Sequence, residues 1–261
     1  MKKTMKAALA ATLMLSAASA VRADQTINGA VGLPLNPTAQ IPLPNGVRIQ
    51  ANYFDLDNDT ESKLYGVYAA GRVGDLPLEI SGGLDKLSSD FTDLDKSGLA
   101  LGAKYLFTRE TDPAGIRIAA GAGYSRALLK NVHAYVVGTK YFGDVNTADG
   151  GRAPVIGHVG LRYDRFDVDF GFGGDDSSRL SLYGGVEVPI TGDGDFTAVG
   201  ELQTKNNDFD DAKIPYSLSV RFRPGTGEDR PFSASLGLQR QGLFSDSRLF
   251  GQVGYSFDTG P

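Results

Sequence analysis

From Val47 onward, apolar and polar residues alternate with a period of two, as they do in strands whose successive side chains point to opposite faces. Val47, Ile49, Ala51 and Tyr53 alternate with Arg48, Gln50 and Asn52 up to a polar turn over 55–61. A second strand is expected over 62–72, with ambiguous facing. After the short turn Val73-Gly-Asp75, Leu76, Leu78, Ile80 and Leu84 alternate with Glu79, Ser81, Gly83 and Asp85. Leu99, Leu101, Ala103, Tyr105 and Phe107 oppose Gly102 and Lys104, and Ile116, Ile118, Ala120 and Tyr124 oppose Arg117, Gly121 and Gly123. The next segment, 132–142, reads as Tyr135, Val137 and Tyr141 against Gly138 and Lys140.

The second half repeats the device. Val155, Val159, Leu161 and Tyr163 face away from His158 and Arg162; a separate strand then sets Phe166, Val168, Phe170 and Phe172 against Asp167, Asp169 and Gly171. Leu180, Leu182, Val186 and Val188 oppose Ser181 and Glu187. Over 196–205 the faces differ less, with Glu201 and Gln203 on the polar side. Tyr216, Leu218, Val220 and Phe222 oppose Ser217, Ser219 and Arg221, and Phe232, Ala234, Leu236 and Leu238 oppose Ser233, Ser235 and Gln239. The last strand, 247–257, sets Leu249, Val253, Tyr255 and Phe257 against Arg248, Gln252 and Ser256. About thirteen segments come near the 9 to 11 residues of a tilted bilayer strand, and an even count is the rule for single-chain barrels. Twelve strands are therefore expected, with fourteen the next choice.

Residues 24–46 depart from the pattern. Pro34, Pro37, Pro42 and Pro44 remove amide donors, so no regular strand is expected. The apolar residues of this stretch suggest a segment lying against a wall or inside a lumen. Residues 1–23 have the form of a signal peptide, with Lys2, Lys3 and Lys6 before the apolar stretch 7–15, and cleavage is expected after Ala23. The chain then divides into a leader (1–23), a proline-rich segment (24–46) and a single barrel domain (47–261).

Composition narrows the choice. Removing Lys2, Lys3, Lys6 and Arg22 from 26 basic residues leaves 22 against 31 acidic ones, a net charge of −9 after cleavage, which argues against a nucleic-acid partner. With no cysteine there is neither a disulfide framework nor a site for a lipid anchor. After the leader no apolar run reaches the roughly 20 residues of a spanning helix, so a membrane span must be built from strands. The mean hydropathy of −0.18 fits such strands, because their two faces cancel in a window average.

A soluble lipocalin-like barrel or a β-sandwich would alternate in the same way. The polar face points to the membrane barrel. It is rich in glycine, which weakens and does not shield a solvated outer face, and it carries charges of both signs: Arg48, Glu79, Asp85, Lys104, Arg117, Lys140, Arg162, Asp167, Asp169, Glu187, Arg221 and Arg248. These twelve are the expected lumen-lining residues, with small neighbours leaving room for the long ones to pair. Aromatics near segment ends, among them Tyr53, Phe107, Tyr163, Phe222 and Phe257, fit interfacial girdles.

With its amphipathic, aromatic-ended last strand the chain resembles a bacterial outer-membrane β-barrel: all-β, antiparallel, up-and-down and transmembrane. Residues 29–54, with Gly-Leu-Pro-Leu-Asn-Pro-Thr-Ala over 32–39 and Pro-Asn-Gly over 44–46, are similar to the amino-terminal signature of the YjbH-like barrels associated with exopolysaccharide production. The resemblance implies an outer-membrane location, contact with membrane lipid, and a narrow channel or an export component handling small solutes or polysaccharide.

Candidate chemistry is sparse. The two histidines, His133 and His158, lie in no metal-spaced cluster, and no cofactor motif is present. His158 is expected to face the lumen beside Arg162 as a structural or pore-lining group, and His133 to sit at a strand end near the headgroups. The acidic stretches 55–61 and 206–211 lack the ligand spacing of an EF-hand and read as solvated turns. No catalytic residue is assigned, and the reading is non-enzymatic. Two alternatives remain: an outer-membrane enzyme acting on lipid or lipopolysaccharide, which needs a Ser-His pair at one rim, and a soluble periplasmic barrel that binds a small ligand. Oligomeric state stays open.

Overall fold

The computed structural model describes residues 24–57, 62–88, 96–109, 115–126, 130–168, 175–205, 212–225, 230–242 and 246–258. The expected leader 1–23, Asp169 and the acidic stretch 206–211 lie outside them. All described elements are strands. Two short ones, β1 (Asp24–Gln25) and β2 (Val31–Gly32), pair with each other. The others are β3 (Gly46–Asp57), β4 (Ser62–Arg72), β5 (Leu78–Ser88), β6 (Lys96–Thr108), β7 (Ile116–Ser125), β8 (Lys130–Asn146), β9 (Arg152–Val168), β10 (Asp175–Pro189), β11 (Phe196–Gln203), β12 (Tyr216–Phe222), β13 (Phe232–Arg240) and β14 (Arg248–Asp258).

These twelve form a closed antiparallel barrel in which each strand pairs with its sequence neighbours and β14 closes on β3, with Val253 opposite Ala51. Closure removes the sheet edges, so every strand finds backbone partners on both sides. Gly46 and Asp258 are paired at one rim, here called the terminal rim.

The expected break between the segments at 155–163 and 166–172 does not exist, because β9 runs unbroken through Asp164 and Arg165 as far as Val168. Treating those charges as a break produced both the extra segment and a wrong facing beyond it. Val159, Leu161 and Tyr163 are exposed, so Asp167, an even number of residues further on, keeps to the outer side. It is not a lumen residue: it pairs with exposed Lys130 on β8 at 2.6 Å. Asp164 turns inward and is buried, held by Arg162 Nε at 2.9 Å and Asn131 Nδ2 at 2.9 Å.

Strand β8 is also inverted relative to expectation. Val132 and Val136 are exposed, whereas His133, Tyr135, Val137 and Thr139 are buried, so Lys140 points outward and does not line the lumen. Both faces of this strand carry apolar or aromatic residues, and alternation alone leaves the choice undecided. The neighbouring strand supplies it: Tyr135 and His133 pair with Gly121 and Gly123 on β7, where a β-carbon would collide with the Tyr135 and His133 rings.

The outer face is apolar through the middle of the barrel, with Leu84 and Leu236 each 67% exposed and Leu180 at 68%. Toward the terminal rim lie Phe107, Phe142, Phe196, Tyr255 and Phe257, with Phe196 stacked on Phe222 at 4.8 Å between centroids. Toward the opposite rim lie Tyr65 and Tyr163, with Tyr53 against Tyr65 at 5.4 Å. An exposed leucine and valine band between two aromatic belts is the surface of a barrel solvated by acyl chains. It also argues against a water-facing barrel.

Candidate functional site

The barrel interior holds the chain's own residues 24–42. Every residue from Gly29 to Pro42 is buried. The segment folds on itself before meeting the wall: Thr26 N donates to Ala30 O at 2.8 Å, Ile27 N to Pro34 O at 2.9 Å, and Leu33 N to Asn36 O at 2.8 Å. Gly32 allows the second turn, because a β-carbon there would come within 2.6 Å of Pro37 Cα. Asn45, at φ 57°, turns the chain out of the interior into β3, a conformation that asparagine tolerates better than most residues.

The prolines leave few regular pairings, so the segment's backbone groups are met by side chains from the wall. Glu79 accepts the Val31 amide at 2.9 Å while Lys104 donates to the Val31 carbonyl at 2.8 Å, and the two wall groups pair at 2.8 Å. Glu201 accepts the amides of Leu35 at 2.7 Å and Asn36 at 3.1 Å. Tyr183 donates to Pro37 O at 2.9 Å, and Gln50 and Gln252 both donate to Gln25 O. Residues from β3, β5, β6, β10, β11 and β14 thus grip one segment from around the barrel.

Near the opposite rim, β3, β4, β5 and β14 present an apolar patch to the interior. Phe54, Leu56, Leu64, Leu87 and Phe250 form a buried cluster with Leu35, and Ile27 packs against it. Phe54 and Phe250 stack at 5.5 Å with planes 10° apart. Alternation placed both on the polar side, and only their contact with the segment explains apolar residues there. Tyr68 and Tyr183 occupy space vacated by glycine: a β-carbon at Gly66 or Gly83 would strike the Tyr68 ring, and one at Gly160 the Tyr183 ring. The interior glycines therefore make room for tyrosines more than for paired charges. Tyr68 also donates to Asp85.

Near the terminal rim the charges converge. Asp24 meets Arg48 at 2.7 Å, Arg221 at 2.8 Å and Arg223 at 3.5 Å, and accepts from Ser233 at 2.7 Å and Ser235 at 2.6 Å. Arg221 reaches on to Glu187 at 2.6 Å, and Glu187 to His158 Nε2 at 3.1 Å. Thr139 Oγ1 lies 2.9 Å from His158 Nδ1 and accepts the Ala39 amide at 3.0 Å. Through its two ring nitrogens His158 thus bridges Glu187 and Thr139.

Threonine, histidine and carboxylate in line resemble a hydrolytic triad, but all three are buried and the threonine oxygen is held by the interior segment. No carbonyl carbon can approach that oxygen while Ala39 is in place. What the arrangement does is bind Ala39 to the wall. Among the described residues, no three of His, Asp or Glu gather to hold a metal.

Of the twelve residues singled out by alternation, Arg48, Glu79, Asp85, Lys104, Arg117, Arg162, Glu187 and Arg221 are buried on the inner face. Arg248 is on the inner side at the opposite rim, 2.8 Å from Asp246. Lys140 and Asp167 are on the outside, and Asp169 lies beyond the described residues. Asp24, Asp164, Glu201 and Arg223 were missed as site residues. Glu201 and Arg223 were within reach of the period-two rule, whereas Asp24 carries no signal until the segment around it is folded.

No protein-family model and no curated protein matches the chain. Among solved structures it is similar to the KdgM porin, at 14% identity over 81% of this chain and 99% of that one, with a TM-score of 0.53. The two share a closed antiparallel barrel fold. The NanC porin is similar at 13% identity, 81% and 98% coverage and a TM-score of 0.50. At these identities the likeness is one of architecture, and it leaves open what the barrel carries.

Proposed function

We propose that the chain is a non-enzymatic, porin-like channel of the bacterial outer membrane whose interior is occupied by its own residues 24–42. The observation that carries this reading is the inside-out arrangement: leucines and valines outside at mid-height, charged and polar groups within. That distribution is stable only where the outer surface meets hydrocarbon. The porin architecture of the KdgM and NanC structures agrees with it.

On this reading the expected leader delivers the chain for export and membrane lipid surrounds the barrel. The solutes are small, because the interior segment divides the space within. The YjbH-like resemblance of residues 29–54 falls mostly on that segment, so an export role in exopolysaccharide production would require the segment to leave.

Membrane fractionation followed by heat-modifiable gel migration tests location and closure. Planar-bilayer recording tests passage, with rare or small openings expected for the native chain and larger ones for variants that lose wall contacts. Release from membranes without detergent, or silence in every variant, would overturn the reading.

A further inference from the structure

Among the described residues the cluster around Asp24 is unbalanced. Three guanidinium groups, Arg48, Arg221 and Arg223, face two carboxylates, Asp24 and Glu187, and all five side chains are buried. Glu187 is further shared with His158. Asp24 holds Arg48 at 2.7 Å and Arg221 at 2.8 Å, whereas Arg223 approaches it only to 3.5 Å. Among the described residues, Arg223 Nε and Nη2 and Arg48 Nε have no hydrogen-bond acceptor.

A buried cationic donor without an acceptor is costly, and guanidinium forks match the planar or tetrahedral oxygens of oxyanions. Ser233 and Ser235 add two hydroxyl donors, both already turned toward a carboxylate. Arg223 directly follows the last residue of β12 at the terminal rim, and Arg48 is the third residue of β3 from the same rim, so the cluster lies close to that mouth.

We propose that Arg48, Arg221, Arg223, Ser233 and Ser235 form an oxyanion-binding site that Asp24 occupies from within the chain, and that a small dianion binds there in competition with Asp24. Occupancy frees β1 from the wall and loosens the first residues of the interior segment. The proposal rests on the channel reading for its consequence, since a loosened segment matters only if solutes pass, but binding itself does not depend on it.

The test uses the full folded chain in detergent, with sulfate as the probe and chloride at equal ionic strength as the control. Calorimetric titration measures binding, and bilayer conductance measures the consequence. Native protein is expected to bind sulfate with millimolar affinity. Asp24→Asn removes the internal competitor and should tighten binding about tenfold, whereas Arg223→Gln should weaken it about tenfold, opposite shifts that general destabilisation does not produce. Heat-modifiable migration confirms that each variant is folded, and the native titration stands if one is not. No sulfate binding by native protein, or equal affinity in native and Asp24→Asn proteins, overturns the site. Binding without any change in conductance overturns the loosening and, if no variant conducts, the channel reading while leaving the site intact.

Discussion

The carboxylate of Glu201 accepts the backbone amide of Leu35 at 2.7 Å, joining a strand of the wall to a residue 166 positions earlier in the chain. The same side chain takes the Asn36 amide, the Asn36 side chain and the Ser217 hydroxyl at 2.6 Å. A barrel that was only a wall would gain nothing from this carboxylate. Its position makes sense as the grip on the interior segment.

Replacing Glu201 with alanine should therefore loosen the segment without opening the wall. Loss of charged hydrogen bonds to two backbone amides costs on the order of 3 kcal/mol. Larger or longer openings in planar bilayers are expected, together with faster amide exchange at Leu35 and Asn36. Unchanged exchange at those two amides would refute the grip.

Gly160 should reject a side chain because Tyr183 lies over it. Gly160→Val is expected to destabilise the barrel by about 2 kcal/mol through overpacking, and Gly160→Val with Tyr183→Ser by less than the two separate costs together. The heat-modification temperature of the four proteins supplies the cycle, and simple additivity would show that the close approach does not matter.

An outward charge at mid-height should obstruct insertion. Leu236→Arg is expected to cost about 2–4 kcal/mol in the membrane, whereas Lys140→Leu on the outer side nearer the rim should be nearly neutral. Folding into vesicles, followed by gel migration, distinguishes them.

At the terminal rim, Asp149 joins two turns. It accepts from Thr147 Oγ1 at 2.6 Å and from the amides of Gly151 at 3.2 Å and Gly192 at 2.9 Å. The Thr147 hydroxyl first, then the Gly192 and Gly151 amides, hold its carboxyl below the usual carboxylate range. A group whose folded value is depressed contributes above its unfolded value and stops contributing as pH falls through the folded one. The junction should thus hold at neutral pH and release only below about pH 4. Exchange at the Gly192 amide, corrected for intrinsic rate, should show this, and Asp149→Asn should abolish the pH dependence.

Alternation along β3, β5, β13 and β14 was enough to assign their faces, because outer positions are leucine, valine, isoleucine or aromatic and inner positions are mainly polar or glycine. The rule failed on β8, where both faces are apolar, and on β9, where Asp164 looked like an end. In both places the facing was settled by neighbours: glycines across from Tyr135 and His133, and Asn131 and Arg162 around Asp164.

The sequence by itself determined that the chain is a closed run of two-faced strands with ions within, since a period of two records, residue by residue, which side meets hydrocarbon. It also marked residues 24–46 as unfit for the wall, because proline cannot donate to a ladder. Only the tertiary structure decided where that segment goes and what it meets. Asp24 with Arg221 and Leu35 with Glu201 are contacts across the bore between residues far apart in the chain. Local pattern carries no information about such distant partners until the wall has closed around them.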